Sequence, residues 1–254
     1  MKLSVIMPCY HGKEYLRHSI EELNGKLSSF IKDYEIIVVI DGNDDGSLEY
    51  ARKLERIFKK LIVVGYEKNK GKGYALRFGL EHARGNYIAF LDADMDYDPI
   101  ALKWFLEEIK YYDAVIGNRR DKNSVFDYGS RLRVILSKLF NLYVNLLFPK
   151  LKIKDTQAGI KLFRNDVIKR VFQVMSYYKC ERFAYDVLLL YTLKALNYSI
   201  KESRCIFHHK ITTIRKIKLI KVIFSMAIDI LKLRIRLWLN PIRKLKLNEI
   251  DHNL

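Results

Sequence analysis

This sequence predicts an α/β architecture, a mostly parallel sheet flanked by helices and followed by an amphipathic C-terminal helix, on three observations. Short apolar runs alternate with helical patterns through the first half. The runs are apolar at every position, as in strands covered on both faces. A long stretch near the end confines most of its polar residues to one narrow stripe. The first strand is read at residues 3–7, in a stretch too short for a signal peptide, and a helix follows from about Lys13. A strand at 36–40 leads through an Asp/Gly-rich turn to a helix from about Ser47, and a third strand spans 61–64. A helix begins near Gly73, and after it come a strand at 87–91, a helix after Pro99 and a strand at 114–116. This is a βαβ series. Residues 131–148 form a helix apolar nearly all round, so it is buried or touches lipid. A polar loop, 155–159, enters a short strand, and residues 181–186 open a helix whose apolar body is 187–190. The division expected is a catalytic domain at 1–212 and a basic helix with its tail at 213–254.

The most informative stretch is where the fourth strand ends abruptly in Asp92-Ala93-Asp94-Met95-Asp96. Ligands of α/β sheets bind outside the carboxyl ends of the strands, and clustered hard oxygens there suit Mg²⁺ or Mn²⁺. The plain alternative is a solvated acidic turn before the helix start at Asp98-Pro99. An EF-hand loop from Asp92 fails, because Tyr97 and Lys103 stand where glycine and glutamate are required. The Gly71-Lys72-Gly73 segment fails as a dinucleotide fingerprint at Leu76, leaving a phosphate loop or a simple loop-to-helix turn. Asp41, at the end of the second strand, either reaches a ribose or base or closes a turn.

Lys and Arg number 46 against 29 acids, a net charge of +17, so an anionic partner is expected: nucleic acid, a lipid surface or a phosphorylated substrate. Cys9, Cys180 and Cys205 are odd in number and show no C-x-x-C spacing, which argues against a disulfide framework or zinc site and fits a reducing cytoplasm. No uncharged run reaches the ~18 residues of a spanning helix, so membrane association is expected to be peripheral, on the cytoplasmic face.

Taken together the motifs resemble family 2 glycosyltransferases of the GT-A fold, in the dolichyl-phosphate mannosyl- and glucosyltransferase branch, over residues 3 to about 239. The resemblance is carried by Val5-Ile6-Met7-Pro8-Cys9-Tyr10, Ile37-Val38-Val39-Ile40-Asp41-Gly42, Asn69-Lys70-Gly71-Lys72-Gly73 and Asp92-Ala93-Asp94. Downstream, the segments Asp155-Thr156-Gln157-Ala158-Gly159-Ile160-Lys161-Leu162-Phe163 and Glu181-Arg182-Phe183-Ala184-Tyr185-Asp186 are similar to dolichyl-phosphate glucosyltransferases in particular. The chain departs from the family pattern at Gly12, Ile40 and Asp96.

The resemblance implies transfer of glucose or mannose from UDP-glucose or GDP-mannose to dolichyl or polyprenyl phosphate, with inversion. It places Pro8, Tyr10, Asp41 and Lys72 around the nucleotide, Asp92 near the ribose or sugar, and a divalent metal on Asp94 with Asp96. Arg119, Arg133 and Ser137 would hold the acceptor phosphate, with Arg131 as runner-up to Arg133. Asp155 and Gln157 would face acceptor or sugar, and His208-His209-Lys210 would form a basic loop over the site. A phosphate acceptor is already anionic near neutral pH, so it needs cationic clamping rather than a general base. Two alternatives stand beside this reading. A soluble or polysaccharide acceptor would require a base, for which Asp155 is the candidate. A basic nucleic-acid-binding protein would have no use for the acid cluster. The helix over 215–239 carries Lys218, Lys221, Ser225, Asp229, Lys232 and Arg236 as its polar stripe. Its broad apolar remainder requires cover by the protein's own domain, a twin subunit or a bilayer interface.

Overall fold

The computed structural model describes residues 2–127, 131–178, 184–208 and 216–242, without side chains at 131–133 and 216–223. Its main sheet has seven strands in the order β3-β2-β1-β4-β7-β5-β8. These are β1 (Leu3–Cys9), β2 (Tyr34–Asp41), β3 (Leu61–Tyr66), β4 (Tyr87–Leu91), β5 (Ala114–Gly117), β7 (Ile160–Arg164) and β8 (Ile200–Ser203). All pairings are parallel except those of β7, which runs antiparallel to β4 and β5. A separate two-stranded parallel sheet joins β6 (Val125–Asp127) to β9 (Ile206–His208).

Helices cover both faces, which is why the strands read as unbroken apolar runs. Alternate residues divide cleanly. Val5, Met7, Ile36, Val38, Ala89 and Leu91 pack with α1 (Leu16–Ser28), α2 (Ser47–Glu55) and α4 (Ala101–Glu108). Ile6, Ile37, Val39, Ile88 and Phe90 pack on the other face, with α3 (Lys72–His82), α6 (Asn165–Ser176) and α7 (Tyr185–Ala195). Four of these elements lie outside the sequence expectations. α6 starts directly from β7, with no glycine or proline to mark the boundary. β8, β6 and β9 have four, three and three residues, too short for periodicity to register.

The long helices α5 (Arg131–Leu147) and α8 (Lys216–Leu239) lie together, and the Tyr143 hydroxyl donates to the Ala227 carbonyl at 3.0 Å. Each presents two apolar faces. Val144 of α5 and Ile230, Leu233 and Leu237 of α8 are buried in the core beside Phe148. Ile135, Leu139, Leu142 and Leu146 of α5 are exposed, as are Phe224, Ile228, Leu231, Ile235 and Trp238 of α8. Packing on the protein, one of the alternatives left open by the sequence, thus accounts for one face of each helix and leaves the other exposed. The expected polar positions Lys218 and Lys221 lie outside the described side chains, and Arg215 outside the described residues. Among the described residues no helix is long and apolar enough to cross a membrane.

Candidate active site

Parallel pairing brings the carboxyl ends of β1, β2, β4 and β5 to one edge of the sheet, and antiparallel β7 delivers its leading residues to the same edge. The β4–β7 register ends at Leu91 opposite Ile160, which sets the next residues, Asp92 and Gly159, against each other. A Cβ on residue 159 would lie 2.8 Å from the Asp92 Cγ and closer still to its Oδ2. Asp92 is held from its other side by the Lys72 ammonium at 2.6 Å. Burial pulls the Lys72 pKa down, but Asp92, Asp186 and Asp94 outweigh it and hold the ammonium above its ordinary value. Gly159→Ala is therefore expected to push Asp92 off this position and lower kcat/KM by about 10²-fold, the usual cost of a reacting group misplaced by about 1 Å. A crystal structure of the variant with Asp92 unmoved, or unchanged kinetics, would contradict this.

Past Asp92 the chain turns tightly. Met95 has φ 56°, and the Asp96 amide donates to Asp94 Oδ1 at 3.1 Å. A left-handed non-glycine residue carries local strain of about 1–2 kcal/mol, held here by surrounding packing. β9 supplies part of that support: the His208 amide donates to the Asp96 carbonyl at 2.8 Å, and the Asp98 amide to the Ile206 carbonyl at 3.0 Å. His209 and Lys210 lie outside the described residues. Burial, and then the charges of Asp92 and Asp96, push the Asp94 carboxyl up to about 6. Mutually repelling carboxylates with hard oxygens fit a divalent cation chemically, although among the described residues no three His, Cys, Asp or Glu side chains are grouped to hold one unaided.

Across the cleft, Asp155 is locked to Arg119. Nε donates to Oδ2 and Nη2 to Oδ1, both at 2.7 Å, and the Arg119 amide adds a bond of 3.0 Å. Burial alone would raise the Asp155 pKa, but the guanidinium and these bonds hold it below the ordinary carboxylate value. Arg119 also sits over the Phe207 ring, 5.3 Å from its centroid. The neighbouring Arg120 makes the contact with α5, donating to the Ser137 carbonyl at 3.1 Å and the Lys154 carbonyl at 2.8 Å. The side chain of Arg133 lies outside the described ones, as does that of Arg131. Four buried polar atoms near this cleft have no hydrogen-bond partner among the described residues: Tyr97 Oη, Thr156 Oγ1, Gln157 Nε2 and Tyr185 Oη. Buried polar groups in native proteins are nearly always paired, so such a cluster marks a place for ligand oxygens.

At the carboxyl end of β1, Pro8 is half-buried, and exposed Tyr10 stacks on His11 at 3.9 Å between ring centroids. His11 is tied by its Nε2 to Asp44 at 2.7 Å. Asp41 is buried, and its carboxylate receives the amides of Lys70 at 2.7 Å and Gly71 at 2.9 Å and the Asn69 side chain at 3.2 Å. Asp41 thus shapes the Asn69–Gly71 loop. Gly71, at φ 97°, makes a turn that a side chain would strain.

Residues 4–172 match glycosyl transferase family 2. The chain belongs to that family. It is similar to the dolichyl-phosphate beta-glucosyltransferase of Drosophila melanogaster, 33% identical over 80% of this chain and 65% of that one. The human protein of the same name is 32% identical over 79% of this chain and 65% of its own. The dolichol-phosphate mannosyltransferase of Pyrococcus furiosus is 30% identical over 67% of this chain and 48% of its own. The chain therefore spans just under two thirds of the glucosyltransferases it matches and about half of the mannosyltransferase. In structure it is similar to glucosyl-3-phosphoglycerate synthase of Mycobacterium tuberculosis, solved with Mn²⁺, UDP and glucosyl-3-phosphoglycerate. The TM-score is 0.66 at 17% identity, covering 92% of this chain and 79% of that one. This family 2 chain accordingly has the GT-A fold expected of it.

Sequence reasoning passed over three residues that the fold brings into the site. Lys161 and Asp186 form a buried ion pair of 2.7 Å beneath the cleft, and Lys161 also donates to the Ala158 carbonyl. Both residues stood inside quoted motifs, and a lysine inside an apolar strand was the available signal. Tyr97 was weighed only as an EF-hand mismatch.

Proposed function

We propose that this chain transfers a hexose from a nucleotide sugar, UDP-glucose or GDP-mannose, to dolichyl or polyprenyl phosphate at a membrane surface, with one inversion at the anomeric carbon. The observation that carries the reading is Asp155. The carboxylate best placed to serve as a base for a neutral hydroxyl has both oxygens engaged by Arg119 and a lowered pKa, which makes it a poor proton acceptor. A site of this kind suits an acceptor whose attacking oxygen is already anionic. The alternative with a soluble hydroxyl acceptor loses its base. The names of the similar glucosyl- and mannosyltransferases support the same acceptor class.

Asp94 and Asp96 would hold Mg²⁺ or Mn²⁺ together with diphosphate oxygens, and the ion would supply neutralisation of charge on the leaving nucleotide. Asp92, fixed by Lys72 and given room by Gly159, orients the donor's sugar or ribose hydroxyls. Gln157 and Tyr97 offer hydrogen bonds to the transferred hexose, and Tyr10 offers its exposed ring to the base. Arg119, Arg133 and Ser137 serve the acceptor phosphate, with Arg120 bracing the Ser137 turn. The apolar rows on α5 and α8 face the bilayer and favour a lipid surface over nucleic acid, and the charge of +17 attracts its anionic headgroups. Attachment is peripheral and from the cytoplasmic side.

The direct test incubates the full chain with each nucleotide sugar, a polyprenyl phosphate and Mg²⁺ or Mn²⁺, and looks for a lipid-linked hexose. Its absence for both donors would refute the assignment. For the membrane arm, Leu142→Asp with Trp238→Asp is expected to abolish co-sedimentation with vesicles and to leave turnover of a short-chain acceptor in detergent within about twofold, since exposed substitutions cost little stability. Unchanged sedimentation would leave the two helices as a contact between copies of the chain.

A further inference from the structure

Between α5 and the segment leading to Asp155 lies an open pocket of about 420 Å³, which meets the site described above only through Arg120 and Lys154. Its lining includes three cations, Arg120, Lys152 and Lys154, with Asn141 and Asn145 of α5, and no carboxylate. Arg120 spends two of its guanidinium nitrogens on the backbone carbonyls of Ser137 and Lys154, which orient the group, and its charge also reaches the Asp155 carboxylate. Asn141 is 7% exposed, and its side-chain oxygen has no hydrogen-bond partner among the described residues. Turning that amide about would place its NH₂ group at the same point, ready to donate. Lys152 is held at φ 49°, so the chain projects it from an uncommon backbone conformation. Cations and amide donors line the pocket, the nearby carboxylates Asp155 and Glu202 stay outside that lining, and Asp155 is already paired with Arg119, which is the chemistry of an oxyanion site.

We propose that this pocket binds a phosphate group, separately from the acceptor clamp. Ser137, Asn141 and Asn145 follow one another at four-residue spacing along the flank of α5, whose neighbouring face exposes Ile135, Leu139, Leu142 and Leu146. A helix lying in the interface through that apolar row carries the pocket at headgroup level, where phosphodiesters of anionic lipids are concentrated. The phosphate chemistry stands on the pocket itself; only the lipid as its source rests on the membrane reading.

The test compares three full-length proteins: wild type, Lys152→Asn with Lys154→Ser, and a control of equal net charge, Lys53→Asn with Lys103→Asn. The control lysines are exposed on α2 and α4, which cover the opposite face of the sheet. Inorganic phosphate, followed through the side-chain amide resonances of Asn141 and Asn145, is expected to bind wild type and control alike and the pocket variant about tenfold more weakly. With vesicles of phosphatidylcholine mixed with phosphatidylglycerol, the pocket variant is expected to bind about tenfold more weakly than the control, with no difference on phosphatidylcholine alone. That result supports the pocket and makes a lipid headgroup its source. Loss of the phosphate response without a vesicle effect supports the pocket with a soluble phosphate instead. Wild type that responds to phosphate yet ignores both vesicles removes the membrane reading and keeps the pocket. A pocket variant indistinguishable from the control in both arms overturns the proposal. So does one whose KM for a short polyprenyl phosphate rises by the same factor as its phosphate Kd, since the pocket would then be part of the acceptor clamp.

Discussion

Asp94→Asn is expected to lower sugar transfer by about 10³-fold or more while making the folded protein more stable near neutral pH. The two effects have one cause. Burial and the neighbouring carboxylates raise the Asp94 pKa from 3.8 to about 6, so the folded protein holds that proton more tightly than the unfolded chain does. Stability therefore falls as pH rises from about 3.8 to about 6, and the full cost, on the order of 3 kcal/mol, is present above that window. An amide keeps the acceptor for the Asp96 N–H and removes the charge. Urea unfolding should show the variant more stable than wild type at about pH 7.5, with the gap closing toward about pH 4. Mn²⁺ or Mg²⁺ should raise the Tm of wild type and leave that of the variant unmoved. A gap that does not change with pH, or equal metal responses, would remove this account of the acid cluster.

The second large effect is expected at Lys161. Its ammonium and the Asp186 carboxylate are 2% and 9% exposed, and Lys161→Met would leave that carboxylate buried beside only the more distant charge of Lys72. Breaking such a pair from one side costs about 3–5 kcal/mol, a large part of the stability of an ordinary domain. Replacing both partners, as Lys161→Met with Asp186→Leu, should recover most of that loss, because neither charge is then stranded. The double variant separates scaffold from chemistry. If the pair also aligns Lys72 and Asp92, it will fold normally and still turn over slowly. Recovery of both stability and kcat would make the pair purely structural.

The sequence made the layered fold legible because every early strand is shielded on both faces and so reads as an apolar run between helical patterns. The acid-tipped β4 was legible for the same reason, since charge is conspicuous where burial ends. What remained hidden depended on register and on side-chain direction. The apposition of Gly159 with Asp92 follows from β7 being antiparallel, which no local pattern reveals. Asp155 was read as facing a substrate, whereas the structure gives both its oxygens to Arg119. Asp41, read beside the nucleotide, spends its carboxylate on the Asn69–Gly71 loop. In both cases the partner came from a distant segment, 30 residues away for Asp41 and 36 for Asp155.

The seam between α5 and α8 also bears on how the chain is made. Val144 and Phe148 find part of their cover in Ile230, Leu233 and Leu237, more than eighty residues downstream. During synthesis the inner side of α5 therefore waits, greasy and partly uncapped, until the ribosome has delivered α8. Chains stalled before Ile230 would carry that uncapped surface along with the outward-facing rows, and so would be clients for chaperones and prone to aggregate.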